Sequence, residues 1–129
     1  MTHHIGVDIV EIERIRQAVA RWGDRFLHRV YTESELNLCR NKSSSLAVRF
    51  AGKEAAIKAL QQTKGIGWKH IEILSETDGK PLLNFYGKAK QQAEHLGLYD
   101  LAITLSHSRN YAIAFVAGNA EPNPTPKAP

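Results

Sequence analysis

The alternation of apolar and polar positions breaks the chain into short strands and helices. Residues 4–12, HIGVDIVEI, are rich in β-branched side chains and predict a strand. From 11 to 22 the period changes, and Ile12, Ile15, Val19 and Trp22 recur on one helical face until Gly23-Asp24 interrupts it. Residues 25–31 form a short helical segment, and 32–40 open with Thr32 and Glu35 in capping-box spacing. NKSSS at 41–45 reads as a polar loop or cap, followed by a long helix from about 46 to 62 that the glycines of KGIGW, 64–68, break. HIEILSE (70–76) and PLLNFY (81–86) read as strands joined by a turn through Asp78-Gly79. A polar helix is expected over 87–97, closed by Gly97. LAITLSH (101–107) and YAIAFVAG (111–118) read as buried strands around the turn SRN. Four of the five prolines lie beyond Gly118, so the folded domain is placed at 1–118 and a disordered tail at 119–129. The sum is an α+β domain: antiparallel strands packed with one long helix and several short ones.

The long helix carries an anomaly. Leu46, Phe50, Ile57 and Leu60 share a stripe that Ala47 and Ala51 extend, and Glu54, one turn past Phe50, falls on or beside it. A carboxylate in apolar surroundings is costly without a cation, a metal ion or a ligand as partner. Asp8 raises the same question, since it interrupts an apolar run on the strand face of Gly6 and Val10. Two such carboxylates could converge on a hard cation such as Mg²⁺, which keeps its other positions for water and phosphate oxygens. Each alone is also satisfied by a salt bridge or partial exposure. Lys58, one turn beyond Glu54, is either its i,i+4 ion pair or a cation beside the same ligand. Arg49 faces another side of the helix and would serve a different part of a large ligand or a neighbouring subunit. Gly65 and Gly67 bring backbone N–H groups to phosphate or simply stop the helix. His107 ends a strand on the face of Leu101, Ile103 and Leu105; a structural role is the simpler reading, and no third group for a Ser-His nucleophile is evident. His3 and His4 read as terminal or edge residues, and the Thr32–Glu35 pair is explained by capping.

At 129 residues the chain is one domain with room for a core but little spare volume for a deep pocket, which leaves a site built between subunits as an option. No apolar run approaches the roughly 18 residues of a membrane span. No signal peptide is evident at the start, and Cys39, the single cysteine, precludes an intrachain disulfide, so a cytoplasmic location is expected. The net charge of +4 favours an anionic partner: nucleic acid, a phosphorylated ligand or an acidic protein.

Four segments together carry a resemblance. IGVDIVEIERI (5–15), YTESE (31–35), RFAGKEAAIKAL (49–60) and LSHSRNYAIAFV (105–116) resemble the holo-[acyl-carrier-protein] synthases, the small type of 4'-phosphopantetheinyl transferase. The most specific part is GVD followed about 45 residues later by F-x-x-K-E-x-x-x-K, with GIG, IEI and GKP in the family's order. The resemblance spans residues 4 to about 117. It implies a trimer with coenzyme A in clefts between subunits. It also implies transfer of 4'-phosphopantetheine to a serine of apo-acyl carrier protein, in fatty acid biosynthesis, leaving adenosine 3',5'-bisphosphate. By motif position, Asp8 and Glu54 would hold Mg²⁺ and Lys58 would meet the diphosphate. Arg49 and His107 would lie near the nucleotide and its 3'-phosphate, and Gly65, Gly67 and Pro81 would line the cleft. Ser108 stands where such enzymes often carry threonine, and keeps the hydroxyl. The base for the serine is either Glu54 or a metal-bound water.

The partner surface follows from helix geometry together with the resemblance. Arg14, Arg21 and Arg25 return to one side of the first helix, opposite Ile12, Ile15, Val19 and Trp22, and Phe26 adds an apolar contact. The acidic recognition helix expected of an acyl carrier protein would match them. A basic, non-catalytic nucleic-acid- or nucleotide-binding module is the alternative; it accounts for the charge but not for inward-facing Asp8 and Glu54.

Overall fold

The structure is a computed structural model and describes residues 2–121. The first strand, β1 (Thr2–Glu11), runs straight into α1 (Ile12–Trp22), and Gly23 separates that helix from α2 (Asp24–Val30). Then come α3 (Glu33–Cys39) and the long α4 (Ser43–Leu60). A 3-10 turn (Trp68–His70) leads into β2 (Ile71–Ser75), β3 (Pro81–Phe85), α5 (Gly87–Leu96), β4 (Leu98–His107) and β5 (Tyr111–Ala120). Two antiparallel sheets result: β1-β5-β4, and the hairpin β2-β3.

The expected α+β architecture is observed, with shifts at element ends. Helix α4 starts at Ser43, so the serines expected in a loop form its first turn, where serine is well tolerated. β4 begins at Leu98, three residues early, across an irregularity between Tyr99 and Ala102 where Asp100 takes a φ of 52°. β5 continues to Ala120, pairing with both Leu98 and Thr2, two residues past the expected domain boundary. Glu121 follows, its N–H donating to the Gly97 carbonyl at 3.2 Å, and residues 122–129 of the expected tail lie outside the described residues.

Helix α4 lies across the inner face of the three-stranded sheet. The contact is made by small residues: Ala51, Ala55 and Ala59 on the helix meet Gly6, Ala112 and Ala114 on the strands, all but Gly6 at most 1% exposed. At Gly6 the strand touches the helix backbone, and a Cβ there would stand 1.8 Å from the Ala55 carbonyl oxygen. At Gly52 the helix meets side chains of β2 and β4, where an added Cβ would stand 2.3 Å from Ile73 Cδ1 and 3.3 Å from Ile103 Cδ1. The helix is thus buried nearly all round, not along one stripe as expected, and Phe50 and Ile57 of that stripe are only half-buried. His4, expected at an edge, is buried and hydrogen-bonds through Nδ1 to the Ala59 carbonyl at 3.0 Å.

The other face of this sheet is uncovered. Burial alternates strictly along the first seven residues of β5, so Tyr111, Ile113 and Phe115 point outward instead of being buried as expected. Register places Phe115 beside Val7 and Ile113 beside Ile9. With Ile5 they form an apolar patch in which Ile9 is 59% exposed.

Gly6→Ala should destabilise the fold by about 3 kcal/mol or more, because the clash is with backbone that cannot rotate away. Denaturant unfolding checks this, and a midpoint equal to wild type would refute the close approach.

Candidate active site

The contact at Gly6 brings two carboxylates together. Asp8, the next residue on the inner side of β1, is half-buried and opposes α4 where Glu54 and Lys58 emerge one turn apart. Lys58 Nζ lies 3.1 Å from Asp8 Oδ1 and donates to the Val7 carbonyl at 2.9 Å. Lysine therefore pairs across to the strand, not along the helix with Glu54. Burial pushes the Glu54 carboxyl above its ordinary range, the charge of Asp8 pushes it further, and Lys58 offsets part of this. A pair of mutually repelling carboxylates is an oxygen-donor set that a hard cation satisfies. Among the described residues no three His, Cys, Asp or Glu side chains form a candidate metal group. The pair therefore suits an ion that keeps positions for water and phosphate oxygens.

The chain as a whole is similar to known proteins. Residues 4–116 match the model of the 4'-phosphopantetheinyl transferase superfamily. The chain belongs to this family. A holo-[acyl-carrier-protein] synthase of Herpetosiphon aurantiacus is 52% identical over 121 residues, covering 88% of this chain and 95% of that one. A second, from Dehalococcoides mccartyi, is 50% identical over 113 residues with the same coverage. Among solved structures, Helicobacter pylori holo-[acyl-carrier-protein] synthase in complex with coenzyme A is similar at a TM-score of 0.81 and 38% identity. That match covers 89% of this chain and 99% of that one.

The remaining residues singled out in this transferase-family sequence fall in different places. Pro81 lines a cleft of about 210 Å³ between β3 and β4, with Lys80, Leu82 and Leu101 among its walls. Arg49 is not free: only 7% exposed, it donates from Nε to the Ile73 carbonyl at 2.9 Å and from Nη2 to Ser75 Oγ at 3.1 Å. The Gly67 N–H donates to His70 Nδ1 at 2.9 Å and the Ile66 N–H to the Thr63 carbonyl, so two of the three GIG amides are already engaged. Ser108 Oγ accepts from the Tyr111 N–H at 3.2 Å and so helps to close the β4–β5 turn. His107 is exposed and outside the carboxylate cluster. It pairs with Ala112, while Asp8 pairs with Ala114, which separates the two by two strand spacings and two residues, roughly 12 Å.

Arg14 and Arg21 are exposed on α1 as expected, whereas Arg25, also exposed, lies on α2 beyond the Gly23 break and not on the same helix, and Trp22 is not on the core side. It is 50% exposed, and the Arg21 guanidinium lies 4.9 Å from its ring centre. Trp22, Arg25, Phe26 and Arg29 line a cleft of about 430 Å³.

The sequence reading missed the most deeply buried charges. Lys53 and Glu35 are both 0% exposed and 2.8 Å apart. Glu35 does cap α3, since its Oε1 accepts from the Thr32 N–H at 2.9 Å. Capping does not exhaust its role, because Oε2 also accepts from the Ile73 N–H at 2.9 Å. Segment 46–60 held the available signal: its polar residues are too few to supply a solvated face, so some had to be interior.

The raised proton affinity of Glu54 has a stability consequence. The folded state binds that proton more tightly than the unfolded chain, so the contribution is present at low pH and is lost as pH rises through the raised value. Glu54→Gln should therefore melt above wild type at neutral pH in metal-free buffer. The gap should close as pH falls toward 4.5, the ordinary carboxyl value. Melting curves across pH check this; a gap independent of pH would contradict the assignment.

Proposed function

We propose that this chain transfers 4'-phosphopantetheine from coenzyme A to a serine of an apo-acyl carrier protein, giving the holo carrier and adenosine 3',5'-bisphosphate, as a step that serves fatty acid biosynthesis. The Asp8–Glu54–Lys58 cluster, in a chain of this family, carries the reading. Asp8 and Glu54 are the residues to hold Mg²⁺, which when bound neutralises and aligns the diphosphate. Lys58 turns its ammonium from Asp8 to the diphosphate and stabilises the charge that grows on the leaving phosphate. The serine oxygen attacks the β-phosphorus, and the bond to the leaving bisphosphate breaks. The serine proton needs an acceptor within the cluster, and where Glu54 is not engaged with the metal its carboxylate is the group suited to take it.

The wider assignments form part of the same proposal. His107, roughly 12 Å from Asp8 by strand spacing, fits coenzyme A better if the cleft spans two copies of the chain. Arg49, Gly65, Gly67, Pro81 and Ser108 belong to that cleft on motif position. The apolar outer face of β1 and β5 supports a trimer, because a patch of Ile5, Val7, Ile9, Ile113 and Phe115 calls for cover. No helix among the described residues is long and apolar enough to cross a membrane. An unpaired, buried Cys39 and a coenzyme A substrate suit the cytoplasm.

The carrier protein docks on Arg14, Arg21, Arg25 and Phe26. A groove lined by Val10, Arg14, Ile15, Ala18, Phe26 and Phe50 joins this surface to the cluster, since Val10 is two residues from Asp8 and Phe50 one turn from Glu54. The net charge alone would also fit a nucleic-acid module, but it leaves the inward carboxylates unexplained.

Incubating apo-carrier protein with coenzyme A and Mg²⁺ should produce the mass gain of one phosphopantetheine by mass spectrometry. That gain should vanish on chelation and in Glu54→Gln, and its absence with wild-type protein would refute the function. Arg21→Glu should raise the KM for carrier protein about tenfold, leave that for coenzyme A within about twofold and flatten the salt dependence of kcat/KM. Unchanged carrier kinetics at low salt would remove this surface.

A further inference from the structure

The free edge of β2 is closed by side chains, and this closure bears on the catalytic pair. One edge of β2 pairs with β3. On the other, no strand follows, yet its backbone groups are satisfied: Lys53 Nζ donates to the Ile71 carbonyl, Glu35 Oε2 accepts from the Ile73 N–H, and Arg49 Nε donates to the Ile73 carbonyl. Two cations one turn apart on α4, with an anion from α3, stand in for the missing strand. Lys53 is fully committed. Its three ammonium hydrogens have three acceptors, Glu35 Oε1 at 2.8 Å, the Trp68 carbonyl at 3.1 Å and the Ile71 carbonyl.

That commitment fixes the rotation of α4 about its axis. Lys53 precedes Glu54 directly, so the helix presents one to β2 and the other, about 100° around, toward β1. Gly6 fixes the separation of helix and strand, and His4 and Lys58 tie α4 to β1 through the Ala59 and Val7 carbonyls, while on the β2 side the helix is held by Arg49 and Lys53. The buried charge pair supplies direction, since an ammonium with no solvent access has no other place to go.

The geometry points to Lys53 and Glu35 as positioning residues for the transfer reaction, holding α4 in the rotation that sets Glu54 against Asp8. This rests on the proposed role of that carboxylate pair. Neither residue touches substrate; they act through the helix.

Removing either charge alone would strand its buried partner and risk unfolding, so the test uses K53M/E35Q, which removes both charges, and E35D, which keeps both charges but shortens the carboxylate's reach. Steady-state kinetics with both substrates, melting curves and a crystal structure of one folded variant are read together. A displacement near 1 Å at reacting groups costs about 100-fold in rate. K53M/E35Q should therefore fold, keep its KM for carrier protein within about twofold, lose about 100-fold in kcat and show Glu54 moved away from Asp8. If the double variant does not fold, E35D decides, with an expected kcat loss of about tenfold at unchanged KM. A folded variant with wild-type kcat, or with its loss confined to carrier-protein KM, overturns the inference. Wild type run alongside separates the two readings. Should wild type fail to transfer phosphopantetheine, the proposed function falls, and the crystallographic Asp8–Glu54 separation still judges the positioning: an unmoved Glu54 refutes it.

Discussion

The contact between the backbone of α4 and Gly6 of β1 governs the rest of this molecule. A helix normally rides on a sheet through layers of large side chains about 10 Å thick. Here alanines and glycines remove that layer, and the strand at Gly6 touches the Ala55 carbonyl. The cost is a core poor in bulky side chains at its centre. The return is that residues next along each element, Asp8 and the Glu54–Lys58 turn, come within ion-pair range without needing long reach. Short side chains hold tighter geometry than long ones because fewer torsions are left to order.

A helix buried on every side needs a reason to face one way. The three-stranded sheet contributes close packing and the hydrogen bonds of His4 and Lys58, and β2 contributes those of Arg49 and Lys53. The division is consistent with the electrostatics. On the β2 side Lys53 is paired with Glu35 and fully desolvated, and Arg49 is buried on carbonyl and hydroxyl oxygens. On the β1 side Asp8 and Glu54 are half-buried and Lys58 is exposed, with one carboxylate kept above its usual proton affinity. One helix thus carries a rigid charged side and a poised charged side.

How much of this was legible in the sequence depends on what each residue had to reveal. Asp8 and Glu54 stood out because carboxylates break apolar patterns, and the structure brings them to one place. Lys53 did not stand out, since lysine in a helix is ordinarily a solvated residue with an apolar stem and nothing local announces its burial. Glu35 was hidden by a correct but incomplete local explanation, its cap on α3. YAIAFVAG read as buried on both faces because alanine and the larger residues all count as apolar. The informative feature was their size alternation: small Ala112 and Ala114 face the helix, large Ile113 and Phe115 face outward. Arg49 was read as available because sequence cannot count the hydrogen bonds a guanidinium has already made.

The pairing of β1 with β5 joins residues 2–11 to residues 111–120, the two ends of the described chain. This is about as non-local as a contact can be, and contacts of that kind are late and slow to form. During synthesis the first strand leaves the ribosome on the order of ten seconds before its partner at ordinary elongation rates. Throughout that wait Asp8 has no settled position, and Ile5, Val7 and Ile9 have no neighbours in the sheet. The carboxylate pair is therefore assembled only once β5 is made, and a nascent or truncated chain lacking residues 111–120 would carry every residue of the cluster without its arrangement.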